Sequence, residues 1–313
     1  MPTREPTSRT EPNGLPFMAA PQLVPAAGYR ATLRSILLGP TVSPRLMHAP
    51  KILVLDSGVG GLTVFREIAR VRPDARLVYV VDDALFPYGK VAESALNTHI
   101  IGVMDAFIAA HRPDLVVIAC NTASTLVLPA LRARFDLPFV GTVPAIKPAC
   151  AASQSKRISV LGTEATVRRE YTHALIASFG QGCEVTLVGS GQLAPLAEAL
   201  LAGDTVSDAA LTAEIAPCFL ANGGARTDTV VLACTHFPLL LDRFEQLAPW
   251  PVRWIDPAPA IARRVQELVG PASTTEATGP APAFFTSGRI PSAGLASALA
   301  GFGVRAAGQA ITA

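Results

Sequence analysis

Two short stretches, ACNT at 119–122 and ACTH at 233–236, end runs of branched apolar residues on a cysteine followed by polar side chains. Cys120 is followed by Asn121 and Thr122, and Cys234 by Thr235 and His236. A third apolar run ends on Asp56 and the glycine-rich loop DSGVGG at 56–61. Two thiols suit one reaction well. To invert an amino-acid α-carbon without a cofactor, a thiolate must take the proton from one face while a thiol delivers one to the other. A free cysteine titrates near about 8.5, so a helix N-terminus or a neighbouring cation would help form the thiolate near neutral pH. His236, two residues beyond Cys234, can supply or accept that proton. Asp56 could attract an ammonium group or assist a thiol.

The glycine-rich loop also invites a nucleotide-binding reading, but its composition opposes one. It lacks the GK[ST] ending of a phosphate loop, Thr63 stands where a dinucleotide fingerprint has its third glycine, and Asp56 would repel phosphate. A tight strand-to-helix turn that brings backbone amides close to an amino acid is the more consistent role.

Such residues need strands to carry them. The segments at 51–56, 76–82, 114–120 and 138–143 are rich in Val, Ile and Leu and predict buried strands. Between them GLTVFREIARVRP, ALNTHIIGVMDAFIAAHRP and LVLPALRARFD carry apolar residues three and four apart, as helices do. A second set of strands is expected at 157–163, 183–190, 229–235 and 251–256. Placing Asp114 on Asp228 aligns Val116 with Val230, Val117 with Val231, Ala119 with Ala233 and Cys120 with Cys234. The expected fold class is therefore α/β, with two pseudo-symmetric parallel-sheet domains facing each other across a cleft. Ligands in open parallel sheets bind at the carboxyl ends of strands, where both cysteines fall.

Composition narrows the partners. Half the 313 residues are hydrophobic and 16% are charged, which opposes disorder over most of the length. Lys plus Arg (26) and Asp plus Glu (24) nearly balance and are interspersed, so a small molecule is expected rather than nucleic acid. No apolar run is long enough for a membrane helix. Cys120, Cys150, Cys183, Cys218 and Cys234 are odd in number and form no CxxC pair, which fits a reducing cytoplasm better than a zinc ribbon or a disulfide framework. Cys150, Cys183 and Cys218 are expected to be structural thiols. His48, His99, His111 and His173 lack partners at metal-binding spacing, and no metal is expected. Residues 1–50 carry nine prolines without a sustained apolar period and predict an unfolded extension; Met47 is an alternative start.

In order and spacing, LDSGVGGLTV, FPYGK, ACNTAS, LGTEATVRREY and LACTHFPLL closely resemble the glutamate racemases, cofactor-independent enzymes that supply D-glutamate for bacterial peptidoglycan. The resemblance runs from about Ile52 to FFTSG at 284–288. It implies that Cys120 and Cys234 are the acid/base pair, with Asp56 beside the first and His236 beside the second. It further implies that Asp56, Ser57, Tyr88, Gly89, Cys120, Asn121, Thr122, Thr166, Thr235 and His236 contact the amino acid, largely through hydroxyls and backbone N–H groups. Glu198 in APLAEAL matches a carboxylate near the second cysteine, although the family more often has VPLVE there. The implied domains are 51–146 with 254–313, and an inserted 147–253; the implied substrate is glutamate, and a homodimer is left open. Each of Asp56, Tyr88 and Thr166 also admits a structural reading, as an N-cap, a turn residue and a helix cap. A racemase of aspartate or a hydantoin, an amino-acid sensor and a thiol hydrolase are the alternatives.

Overall fold

The computed structural model describes residues 48–273 and 277–307; the extension expected over 1–50 lies, up to residue 47, outside the described residues. The strands are β1 (Lys51–Asp56), β2 (Arg76–Val81), β3 (Leu115–Ile118), β4 (Phe139–Gly141), β5 (Arg157–Thr163), β6 (Glu184–Ser190), β7 (Ala221–Asn222), β8 (Ala225–Arg226), β9 (Thr229–Ala233), β10 (Arg253–Ile255), β11 (Ala281–Phe285) and β12 (Val304–Ala306). They form a six-stranded sheet ordered β12-β11-β2-β1-β3-β4 and a four-stranded sheet ordered β10-β9-β5-β6, both parallel. Read from β6, the second order is β6-β5-β9-β10, which repeats β2-β1-β3-β4 of the first. The matched aspartates confirm the repeat at atomic level: Asp114 N donates to Lys51 O at 2.8 Å, and Asp228 N donates to Arg157 O at 3.2 Å. The expected break between residues 253 and 254 falls inside β10, which pairs with β9.

The central strands are apolar on both faces because helices cover both. Leu53, Leu55, Val116 and Ile118 pack on one side of the first sheet in a cluster with Leu96, Ile100 and Leu128. Ile52, Val54, Leu115 and Val117 pack on the other with Leu62, Phe65, Ile261 and Leu299. The first cluster continues through Ile146 and Ala149 to Ile158, Val160 and Val231, so one apolar body joins the two sheets. A third cluster, with Leu161, Val230, Leu232, Ala197 and Phe244, covers the far face of the second sheet.

Two local departures matter. The helix expected over 126–136 begins at Asn121, directly after Cys120, and runs to Arg134. Asn, Thr and Ser disfavour helix interiors because they compete for backbone hydrogen bonds, but Asn121, Thr122 and Ser124 are buried and tertiary packing overrides that preference. The alternating βα pattern also gives way at β7 and β8, an antiparallel hairpin. Gly223 and Gly224 turn it at φ of 60° and 77°, the pair of positive values that a tight two-residue hairpin loop requires.

Candidate active site

Parallel strands running the same way place their carboxyl ends together, and β1, β3, β5 and β9 each deliver a candidate residue at that end. Asp56 ends β1, Cys120 lies two residues beyond β3, Thr163 ends β5 and Cys234 follows β9. Asp56, Ser57, Cys120, Asn121, Thr122, Thr166, Cys234, Thr235 and His236 are all buried.

Around Cys234 the structure builds a chain of titratable groups. His236 Nδ1 lies 3.8 Å from Cys234 Sγ, and His236 Nε2 lies 2.9 Å from Glu198 Oε1. Val59 N–H donates to the same Glu198 oxygen at 2.7 Å, so the helix Leu193–Ala202 reaches the glycine-rich loop through Glu198. Burial opposes a charged imidazole, but the Cys234 and Glu198 contacts outweigh it and raise His236 well above the ordinary histidine range. Burial also works against the Glu198 carboxylate; the pairing with His236 prevails and lowers it.

Around Cys120 the balance runs the other way. The residue is the N-cap of Asn121–Arg134, where a helix dipole would favour a thiolate. Burial and the negative charge of Asp56 prevail and push its thiol up to about 12. The helix N-terminus, one of the two aids to a thiolate that the sequence suggests, does not by itself outweigh burial and Asp56 here. Asp56 accepts from Thr235 Oγ1 at 3.0 Å and Gly58 N–H at 3.2 Å, yet burial keeps its carboxyl above the usual range. Asp56 therefore ties β1 to the loop after β9 and receives a bond from the glycine-rich loop, whereas Gly61, not Asp56, is the N-cap of the helix that follows.

The glycines of 56–61 serve close approach rather than unusual torsion, since none of the three has positive φ. A Cβ on Gly58 would lie 2.2 Å from Glu198 Oε1, one on Gly60 would lie 2.5 Å from His236 Nδ1, and one on Gly61 would lie 2.6 Å from Asp56 Cβ. Removing the side chains lets the first sheet's loop pack against the His236–Glu198 pair.

Two of the hydroxyl-bearing candidates, Thr122 and Thr166, meet in a cluster with Thr163. Thr122 Oγ1 lies 3.1 Å from Thr163 Oγ1 and 3.2 Å from Thr166 Oγ1, and the last two lie 2.9 Å apart. Thr163, not Thr166, caps the helix Glu164–Arg168 by accepting from Thr166 N–H. Asn121, next to Thr122 in the chain, has both Nδ2 and Oδ1 buried and without a partner, an uncommon and costly arrangement. Tyr88 hydrogen-bonds Asp82, which is buried and also accepts from Thr286 Oγ1 at 2.6 Å and contacts His99 Nε2 at 2.8 Å. Gly89 follows in the turn Tyr88–Lys90, and a Cβ there would meet nothing closer than Ala165 Cβ at 3.8 Å.

Several contributors escaped sequence reasoning. Thr163 carries a strand-end hydroxyl, the one local signal that marks it. Asp82 sits just past the end of β2, next to β1 and its Asp56, a position that could have marked it. His99, read as solitary, pairs with Asp82. Arg169 reaches across to Glu93 at 3.1 Å and to Thr125 Oγ1 at 2.7 Å, contacts between distant segments that no local pattern announces.

Among the described residues no group of three or more His, Cys, Asp or Glu side chains could hold a metal, and no helix is long and apolar enough to cross a membrane. The model of the Asp/Glu/hydantoin racemase family matches residues 52–265. The chain is 51% identical over 269 residues to a glutamate racemase of Brucella ovis, covering 85% of this chain and 95% of that protein. It is 52% identical over 255 residues to one of Mesorhizobium japonicum, covering 81% and 97%. It also resembles, at 40% identity and a TM-score of 0.75, the crystal structure of Escherichia coli glutamate racemase in complex with L-glutamate and activator UDP-MurNAc-ala, covering 84% of this chain and 97% of that one.

Proposed function

The chain belongs to the Asp/Glu/hydantoin racemase family, and from that premise we propose that it interconverts L-glutamate and D-glutamate through two bases, Cys120 and Cys234, without a cofactor. The observation that carries the reading is the placing of the two thiols after equivalent strands of the two repeats, each beside a different partner: Asp56 for Cys120, and the His236–Glu198 pair for Cys234.

In one direction the thiolate of one cysteine removes the α-proton and the thiol of the other delivers a proton to the opposite face. One S–H bond forms as the other breaks, so the two cysteines exchange protonation states with each turnover. His236 holds or returns the proton of Cys234, and Glu198 supports the imidazolium. Asp56 serves Cys120 in the same capacity and attracts the substrate's ammonium group. That ammonium adds a positive charge beside Cys120, which favours a thiolate that burial otherwise suppresses. The unpaired amide of Asn121, the hydroxyls of Ser57, Thr122, Thr166 and Thr235, and backbone N–H groups at Tyr88 and Gly89 hold the carboxylates. On this reading the domains are 51–146 with the chain beyond β10, and 147 to the end of β10, and the enzyme works in the cytoplasm to provide D-glutamate for peptidoglycan.

The test is incubation of the purified chain with L-glutamate in heavy water without added cofactor, followed by circular dichroism and proton NMR. Loss of optical activity with entry of deuterium at the α-position is expected. Glutamate that binds but keeps both its optical activity and its α-proton would defeat the proposal, and turnover of aspartate or a hydantoin instead would reassign the substrate.

A further inference from the structure

We propose that Arg289 is a positioning residue for this reaction, sharing the Glu198 carboxylate with His236 and thereby setting the charge state of the imidazole that serves Cys234. The inference rests on the racemase reading but concerns a residue outside the motifs that support it.

Glu198 has two oxygens with different duties. Oε1 receives Val59 N–H at 2.7 Å and faces His236 Nε2 at 2.9 Å, while Oε2 faces Arg289 Nη2 at 3.7 Å. Arg289 is itself held from the side of the first sheet. Its Nε lies 2.5 Å from Asp83 Oδ2, and its guanidinium carbon sits 5.2 Å from the centre of the Phe285 ring. Asp83 is fixed in turn by Ser287, whose N–H and Oγ donate to its two oxygens at 3.0 and 2.7 Å. A carboxylate and an aromatic face thus orient the guanidinium before it meets Glu198, which reduces the entropy lost in the contact. The result is a chain of alternating character, Cys234, His236, Glu198, Arg289 and Asp83, running from a buried thiol to a half-exposed guanidinium anchored on a buried carboxylate.

The sign of the effect follows from the groups around His236. Its immediate neighbours are Cys234, Glu198, the Phe86 ring at 5.6 Å and the Gly60 N–H at 3.3 Å, with Asp56 interacting through its charge. Arg289 reaches this group through Glu198, where its charge favours the carboxylate. It also draws on the carboxylate that would otherwise serve the imidazolium alone. Without Arg289, Glu198 stays in place through Val59, its charge acts more fully on His236, and the imidazole holds its proton to higher pH. Proton return between His236 and Cys234 is then mismatched. Arg289 is 45% exposed, so solvent limits the effect to roughly that of a surface pair, about threefold.

The experiment compares full-length wild type with Arg289→Gln and Arg289→Lys, each also in a Glu198→Gln background, by kcat/KM against pH and by NMR titration of the His236 imidazole. Arg289→Gln is expected to lower kcat/KM about threefold and to raise the imidazole midpoint by about half a pH unit, the same factor expressed as a proton equilibrium. Arg289→Lys should restore both, and in the Glu198→Gln background Arg289→Gln should add nothing further. An imidazole midpoint unmoved in folded Arg289→Gln, or effects that multiply in the double variant, would overturn the proposal. If Arg289→Gln does not fold, Arg289→Met retains the stack on Phe285 and is read by the same criteria. Inactivity of wild type towards glutamate would instead count against the racemase reading, while the imidazole titration would still decide the role of Arg289.

Discussion

His236 Nε2 and Glu198 Oε1 lie 2.9 Å apart, joining the loop after β9 to the helix Leu193–Ala202. The folded protein thereby raises the imidazole above its unfolded value of about 6.5. A group raised in this way stabilises the fold fully below the unfolded value and loses that contribution as pH climbs through the folded one. Glu198→Gln should therefore cost about 2 kcal/mol at pH 6, as expected for a charge-assisted hydrogen bond, and less at pH 9. Thermal denaturation at the two pH values measures the difference; equal losses at both would refute this origin.

Cys120→Ala and Cys234→Ala should each lower racemisation by at least about a thousandfold, within the range of lost acid–base catalysis. Both side chains are small and buried, so the far-ultraviolet spectrum should be unchanged. Polarimetry of a glutamate solution provides the assay. Full activity in either variant would rule out the two-base scheme.

With its thiol pushed up to about 12, Cys120 stays protonated in the free enzyme through neutral pH. Alkylation by iodoacetamide, followed by peptide mass spectrometry, should be slow at pH 7 and should rise steadily with pH without a plateau below about pH 10. Rapid labelling of Cys120 at neutral pH would show that the thiolate forms without substrate.

Gly58 and Gly60 should respond differently to alanine. The Gly60 methyl would meet the His236 backbone nitrogen at 2.7 Å, which cannot swing away, so a loss of about 1–3 kcal/mol is expected from overpacking. The Gly58 methyl meets the end of the flexible Glu198 side chain, so kcat should fall more than thermal stability. Calorimetry with parallel kinetics separates the two, and a wild-type melting temperature in Gly60→Ala would contradict the packing argument.

Asn121 buries an amide with neither polar atom paired. Asn121→Leu, similar in shape and apolar, should leave the unliganded melting temperature unchanged or higher. Loss of a hydrogen bond to a charged ligand should meanwhile raise KM about tenfold to a hundredfold. Thermal shifts with and without glutamate test both halves, and destabilisation of the unliganded protein would mean that Asn121 serves the fold.

Within the chain, periodicity and residue type alone determined the alternating strands and helices, the repeat linking Asp114 to Asp228, and the strand-end positions of Cys120 and Cys234. These are local features, since a buried strand needs a continuous apolar run and a repeat preserves its register wherever it packs. Tertiary structure decided the rest. It drew Asn121 and Thr122 into a helix that their propensities disfavour, and it turned the glycines of 56–61 into a surface for His236 and Glu198. It also joined Thr122 to Thr163, His99 to Asp82, and Glu198 to Arg289. Residues so far apart in the chain meet only because parallel sheets bring many strand ends to one edge, and the sign of a charge's effect there depends on burial and neighbours that no linear pattern records.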